Sequence, residues 1–67
     1  MKPEEYEERN IKLLLDIGKR DDPFGVSYVQ RICRIGYNQA CYTIERAITQ
    51  GTLEHDTERE WLVRFPK

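Results

Sequence analysis

The sequence predicts a small α+β domain of three helices followed by a two-stranded β-hairpin. Up to about residue 50, apolar residues recur at helical spacing in three separate segments. After Gly51 the pattern changes to β-branched and aromatic residues in partial alternation, which is typical of short strands. The 67 residues are enough for one domain with a small core, so residues 1–67 are taken as a single unit.

A first helix is predicted at about residues 4–18. Pro3 suits its first turn, and the four glutamates within residues 4–8 complement the positive end of the helix dipole. Gly18 is the stop signal, and residues 21–25 form a loop. One helical face carries the side chains expected to face the core: Tyr6, Asn10, Ile11, Leu13, Leu14, Leu15 and Ile17.

Two further helices are predicted, at about residues 28–34 and 38–50. Ser27 and Gln30 have the spacing of a capping box, and Gly36 breaks the second helix. Asn38 is the expected N-cap of the third helix, which Gly51 ends. The third helix has an apolar stripe of Ala40, Cys41, Ile44, Ala47 and Ile48. Its opposite, outer face is expected to present Gln39, Tyr42, Thr43, Glu45, Arg46 and Thr49.

A closing hairpin is predicted at about residues 52–65, with a turn at residues 56–59. Trp61 and Phe65 are expected in the hairpin core, and His55 is expected to be a solvated turn residue. Three helices with a tight glycine-containing turn before the third, followed by a hairpin, is the element order of a winged helix-turn-helix. The hairpin is the wing in this interpretation.

The charge distribution favours a basic middle segment although the net charge is −1. Residues 26–50 carry three basic and one acidic side chain, whereas residues 1–25 carry five and seven and residues 51–67 carry three and four. DNA-binding proteins usually present a basic face even when their total charge is modest. The middle segment is therefore where a nucleic-acid contact is expected.

The outer face of the third helix carries side chains suited to base edges. Asparagine and glutamine form paired hydrogen bonds to adenine, and arginine forms them to guanine. Phosphate contacts are expected from the second helix and from the wing tip. The predicted DNA-binding residues are Ser27, Arg31, Arg34, Asn38, Gln39, Tyr42, Thr43, Arg46 and Arg59. The same residue types also decorate ordinary solvated helices, and Tyr42 is equally suited to packing against the wing.

No motif of an enzyme is found in the sequence. It has no glycine-rich phosphate loop, nucleophile elbow or metal-ligand pattern, so neither a catalytic residue nor a metal or other cofactor is expected. Cys33 and Cys41 are expected to be reduced packing residues. The acidic N-terminus lacks the features of a secretory signal, and no apolar run is long enough for a membrane span, so a cytoplasmic location is expected.

Residues 29–40, with the sequence VQRICRIGYNQA, resemble the C-terminal gamma domain of the FtsK/SpoIIIE-type bacterial DNA translocases. That family typically has VQRxFRIGYNRAAR in this segment, and the similarity extends over about residues 23–65. The resemblance implies a winged domain that reads short, oriented, G-rich chromosomal sequences and contacts a site-specific recombinase. Arg31, Arg34 and Asn38 match the family pattern and would inherit its DNA-contacting roles.

Two differences from the family pattern lie on the third helix. Gln39 and Tyr42 occupy positions where the family has arginines, which predicts a lower affinity or a more A·T-rich target. Without an ATPase motif the chain is expected to be a freestanding gamma-like protein, as in a small transcriptional, phage-type or plasmid-type regulator associated with the nucleoid, or else an excised domain.

The sequence is compatible with two functions. The leading hypothesis is sequence-specific binding of double-stranded DNA, with a homodimer as the form that adds base contacts. The alternative is a winged-helix protein-interaction module that uses Tyr42, Thr43 and Arg46 against a recombinase or another protein.

Overall fold

Three helices precede a short antiparallel hairpin in the structure, a computed structural model that describes residues 3–66 and the side chains of residues 5–66. The helices are α1 (Pro3–Ile17), α2 (Val26–Cys33) and α3 (Tyr37–Thr49), and the strands are β1 (Glu54–His55) and β2 (Val63–Arg64). The predicted α+β class and element order are confirmed. The side chain of Glu4, one of the glutamates expected at the start of the first helix, lies outside the described residues. No helix among residues 3–66 has the length and apolar character needed to cross a membrane.

The middle turns of α1 pack against α2 and α3, whereas both ends extend beyond the core. Asn10, Ile11 and Leu14 are buried. Tyr6, Leu15 and Ile17 are 43%, 40% and 65% exposed, so the prediction that they face the core was wrong. Tyr6 and Ile17 lie towards the ends of α1, and Leu15 lies at the edge of its apolar stripe, so the stripe is longer and wider than the surface that the two shorter helices cover.

Helix α2 begins earlier than predicted, and Ser27 does not cap it. Gly25 is the N-cap, with extended backbone and no side-chain capping bond, and Ser27 lies exposed in the first turn. The backbone of Phe24 is hydrogen-bonded in both directions to Val63, at 2.8 and 2.9 Å. This pairing fixes the chain just before α2, in a segment predicted to be a loop.

Arg34, and not Gly36, ends α2. Arg34 has φ 56° and ψ 52°, which places it in the left-handed region, and the next amide, of Ile35, donates to the carbonyl of Gln30 at 3.2 Å. This is the hydrogen-bond pattern of a Schellman motif, in which glycine is the preferred residue. Arg34 therefore adopts a backbone conformation that is sterically unfavourable for any residue with a Cβ atom.

Gly36 is instead the N-cap of α3, and Asn38 lies within the first turn of that helix. No side chain caps this helix, and the amide of Ala40 donates to the carbonyl of Gly36 at 3.0 Å. The prediction that Asn38 is the cap was wrong. The predicted stop is confirmed, because α3 ends at Thr49 and Gly51 has φ 81°.

The hairpin is shorter than predicted, with the pairs Glu54 with Arg64 and His55 with Val63. The turn between its strands is organised by Asp56, which is 8% exposed. Its Oδ2 accepts hydrogen bonds from the amides of Glu58 and Arg59, at 3.2 and 2.9 Å. These bonds satisfy two backbone donors that the strand ladder leaves without partners.

The core lies where the three helices meet the inner side of the hairpin. Phe24 packs against Tyr28 and Phe65, with ring centroids 4.9 and 5.5 Å apart. Trp61 is 74% exposed, so its predicted place in the hairpin core was wrong, because it follows the turn outside the paired residues. The buried apolar residues are Ile11, Leu14, Phe24, Val29, Cys33, Ala40, Ile44, Ala47, Leu53 and Val63.

Candidate nucleic-acid interface

One side of α3 is open to solvent along its whole length. Its exposed residues, here called the outer face of α3, are Asn38, Gln39, Tyr42, Glu45 and Thr49. The opposite side is anchored in the core by Ala40, Ile44 and Ala47. The two amides lie in the first turn of α3, and Tyr42, which is 57% exposed, follows one turn later. The outer face therefore begins with hydrogen-bonding side chains and contains one aromatic ring.

Thr43 does not belong to this face, which corrects its predicted role as a DNA contact. Its exposed fraction is 0%. Its Oγ1 accepts a hydrogen bond from Nδ2 of Asn10 at 3.1 Å and donates one to the carbonyl of Gln39 at 2.8 Å. Thr43 lies on the side of α3 that packs against α1, where a buried polar link joins the two helices.

Arg46 is half-buried and also turns towards α1. Its Nε donates to Oε1 of Glu8 at 2.8 Å, and its Nη1 lies 3.6 Å from Oε1 of Glu7. Gln50 donates to the same Glu8 oxygen. The hydrogen bonds from Arg46 and Gln50 lower the pKa of the Glu8 carboxyl below its ordinary value. The prediction that Arg46 extends from the outer face was wrong, since its guanidinium is held by two glutamates of α1.

The two predicted arginines of α2 and its C-cap are exposed. Neither Arg31 nor Arg34 forms an ion pair with a described residue. Arg34 lies two residues before the N-cap of α3. Ser27 is exposed at the other end of α2. Both guanidiniums are thus available to an anion, and that of Arg34 belongs to the turn that leads into α3.

Arg59 lies in the turn of the hairpin, as predicted, but its side chain leans towards Asp56. The Nε atom of Arg59 and Oδ2 of Asp56 are 3.9 Å apart, and the Arg59 side chain is 51% exposed. Nearby, the His55 ring is exposed and its Nδ1 lies 3.2 Å from the carbonyl oxygen of Glu60. Arg59 is therefore partly neutralised within its own turn.

Three exposed residues were not among the predicted site residues. Two of them lie close to the start of α3, and the third lies in the hairpin. Tyr37 is 62% exposed at the start of α3, and a hydrogen bond with the Cys41 side chain is the main cause of its raised pKa. Trp61 is the exposed aromatic residue of the hairpin. Arg9 of α1 lines a cavity together with Arg34. Tyr37 was identifiable from its place in the RIGYN segment, whereas the position of Arg9 depends on how α1 crosses α2.

The described residues contain no group of three or more histidine, cysteine, aspartate or glutamate side chains that could hold a metal ion. Cys33 and Cys41 are both free thiols, the first buried and the second half-buried, as predicted for packing residues. Burial raises the pKa of the Cys33 thiol. The chemistry that this surface offers is hydrogen bonding, aromatic contact and positive charge.

Comparison of the chain with protein-family models, with curated proteins and with solved structures gave no match.

Proposed function

We propose that this protein binds double-stranded DNA in a sequence-specific manner, with α3 lying in the major groove. The observation that carries the proposal is the outer face of α3, whose first turn presents the amides of Asn38 and Gln39 to solvent. Helix-turn-helix proteins contact base edges with the N-terminal residues of the corresponding helix. Asparagine and glutamine are suited to adenine, which favours an A·T-containing target.

The charges around this face support the same proposal. Arg31 and Arg34 are exposed and lack ion-pair partners among the described residues, and they lie in the last turn of α2 and at its C-cap, just before α3 begins. In this position they would hold phosphates while α3 reads bases. Tyr42 would lie against a base or a sugar one turn further along the helix.

In this proposal the element order is that of a winged helix-turn-helix, with α3 as recognition helix and the hairpin as wing. The chain would be a gamma-like domain of the FtsK/SpoIIIE type, acting as a small regulator or as a reader of DNA orientation in the nucleoid. Such a domain would act without a cofactor or an enzymatic activity of its own. Pairing into a homodimer would double the number of base contacts, and a site-specific recombinase is the protein partner that the resemblance implies.

A protein-interaction module is the second candidate, and one observation favours it. Arg46 is held by Glu7 and Glu8, so the outer face of α3 has an exposed carboxylate, Glu45, and no guanidinium. Exposed tyrosines at positions 37 and 42 are of the type enriched at protein interfaces. This candidate predicts little or no affinity for DNA.

Selection from a random-sequence duplex pool at two salt concentrations separates the two candidates. Retention of DNA at the lower salt concentration, weakened by added salt and followed by enrichment of one motif on sequencing, is the result that DNA reading predicts. Failure to retain any duplex at about 50 mM salt would overturn the proposal.

Single-residue variants locate the contact. Because Asn38 is not a cap, Asn38→Ala removes an amide without removing a helix-capping bond. Gln39→Ala does the same at the next position. Each change is expected to relax specificity at one base pair by about 1–3 kcal/mol. Thr49→Ala, at the opposite end of the same face, is the matched control and should leave the selected motif unchanged, because its hydroxyl already donates to the carbonyl of Glu45 at 3.0 Å.

A further inference from the structure

A groove between α1 and the end of α2 brings together two arginines that are 25 positions apart in the sequence. The cavity has a volume of about 240 Å³, and Arg9 and Arg34 both line it. Arg34 is the C-cap of α2, so the groove opens beside the turn that leads into α3. Its position next to the first turn of α3 makes it an extension of the proposed interface.

The arginines of the chain fall into two groups. Arg20, Arg46, Arg59 and Arg64 each lie within 4.0 Å of a carboxylate oxygen. Arg9, Arg31 and Arg34 are exposed and form no such pair with any residue in the described part of the chain. Two of these three unpaired guanidiniums share the groove, so positive charge is concentrated there.

The walls of the groove add no opposing charge. The described residues that line it besides the arginines are Tyr6, Asn10, Leu13, Cys33 and Ile35, and none of them is a carboxylate. The raised pKa of Cys33 keeps its thiol uncharged near neutral pH. The groove therefore combines two cations with apolar and neutral polar walls, as suits a phosphodiester whose sugar lies against Tyr6 or Ile35.

The backbone at Arg34 adds an independent observation. It has φ 56°, a left-handed conformation that glycine adopts with less steric strain than any residue with a Cβ atom. Residues held in such conformations are concentrated at functional sites. Arg34 occupies a position where glycine would be more stable, and its side chain lines the groove.

From this geometry we infer that Arg9 and Arg34 form a clamp for one backbone phosphate of duplex DNA, so that α1 takes part in the interface. This inference rests on the proposed function and extends it to a residue outside the segment that resembles the translocase family. An acidic protein surface is the other anionic partner that the groove would accept. Duplex DNA is favoured because Arg34, which lines the groove, lies two residues before the N-cap of α3, whose first turn carries the two exposed amides.

The test is the salt dependence of binding to a fluorescein-labelled duplex, measured by fluorescence anisotropy for wild type, Arg9→Ala and Lys19→Ala. Loss of one arginine–phosphate ion pair lowers the slope of log affinity against log salt by up to about 0.9, or up to about eightfold in affinity at 0.1 M salt, with Arg34 still contacting the phosphate. We expect this change for Arg9→Ala. Lys19→Ala removes the same charge beyond the far end of α1 and should keep the wild-type slope.

The outcomes separate this inference from the proposed function. A wild type that binds with a steep salt slope, together with an Arg9→Ala variant of unchanged slope, overturns the phosphate clamp alone and leaves the groove to an acidic protein surface. Equal losses in Arg9→Ala and Lys19→Ala also overturn it, because net charge alone then explains the effect. A wild type without salt-dependent affinity for duplex DNA overturns both proposals. Circular dichroism of each variant checks that the fold is retained.

Discussion

Arg34 is a residue at which stability and the proposed function oppose each other. Its left-handed backbone conformation is adopted more readily by glycine, whereas its guanidinium lines the groove that we propose as a phosphate site. The Schellman bonds at this position involve the backbone and do not require the side chain. Replacement of Arg34 by glycine is therefore expected to stabilise the fold and to weaken the proposed DNA binding.

Arg34→Gly is expected to raise the free energy of unfolding by about 1 kcal/mol, because the steric cost of a Cβ atom in this conformation is removed. Urea denaturation measures the change. Arg34→Ala is the control, since it removes the same charge but keeps the Cβ atom, and it should give no such gain. Equal stabilities of the glycine and alanine variants would contradict the account of this helix end.

Thr43 shows why an outer face cannot be assigned from residue type alone. Its helical position lies at the boundary between the core stripe and solvent, and the crossing of α1 decides which side it takes. The partner that draws it inward is Asn10, 33 positions earlier in the sequence. A polar pair of this kind leaves no local signal in either helix.

Thr43→Val is expected to lower the free energy of unfolding by about 1–3 kcal/mol, because Nδ2 of buried Asn10 loses its acceptor. The double variant Asn10→Leu and Thr43→Val removes both partners and should recover most of the loss. Urea denaturation of the two variants provides the measurement. A Thr43→Val single variant as stable as wild type would show that the buried link contributes nothing.

At the scale of elements, α1 and α3 are joined by a surface cluster of Glu7, Glu8, Arg46 and Gln50. The pKa of Glu8 is lower in the folded protein than its ordinary value. A carboxyl group with a lowered pKa stabilises the fold above its unfolded pKa, and this contribution is lost as the pH falls through the folded pKa. The cluster therefore makes the packing of α1 on α3 sensitive to acid.

Glu8→Gln is expected to lose less stability on acidification than wild type does between about pH 6 and pH 3. Thermal unfolding at a series of pH values measures the stability of both proteins. The stability difference between wild type and Glu8→Gln should be largest at the upper end of the pH range and should shrink as the pH falls. Glu60→Gln in the hairpin turn removes a carboxylate that forms no described ion pair, and serves as the control. Parallel pH profiles for wild type and Glu8→Gln would be inconsistent with the cluster as described.

The hairpin differs most from its predicted form, because Trp61 is exposed and the strands have two residues each. Trp61→Ala is expected to change the free energy of unfolding by no more than about 0.5 kcal/mol, as for other exposed positions. Urea denaturation followed by circular dichroism measures this without relying on tryptophan emission. A loss of several kcal/mol would place Trp61 in the core after all.

Across the whole molecule, local sequence signals predicted the elements but not the contacts between them. The apolar spacing of Ala40, Ile44 and Ala47 and the left-handed turn at Gly51 are local properties, and both agree with the structure. The side taken by Arg46 and the nearness of Arg9 to Arg34 depend on the crossing of helices distant in sequence. Of the nine predicted site residues, Thr43 and Arg46 were misplaced for this reason.

The resulting charge pattern is asymmetric around α1. Its glutamates at positions 7 and 8 hold the C-terminal half of α3 through Arg46, while Arg9 lies beside the turn that leads into the N-terminal half. Positive charge is thus neutralised towards the end of α3 and left free near its beginning. A DNA duplex approaching this molecule would be attracted to the end of α3 that carries the two amides.

The most direct test of the central claim is an amide chemical-shift titration of the isotope-labelled protein with a duplex, followed by two-dimensional NMR. DNA binding through α3 predicts that the largest shifts fall on Asn38, Gln39 and Tyr42, with a second group at residues 31–34 and smaller shifts at residues 11–18. Large shifts confined to other parts of the chain, or no shifts at low salt, would contradict the claim that α3 lies in the major groove.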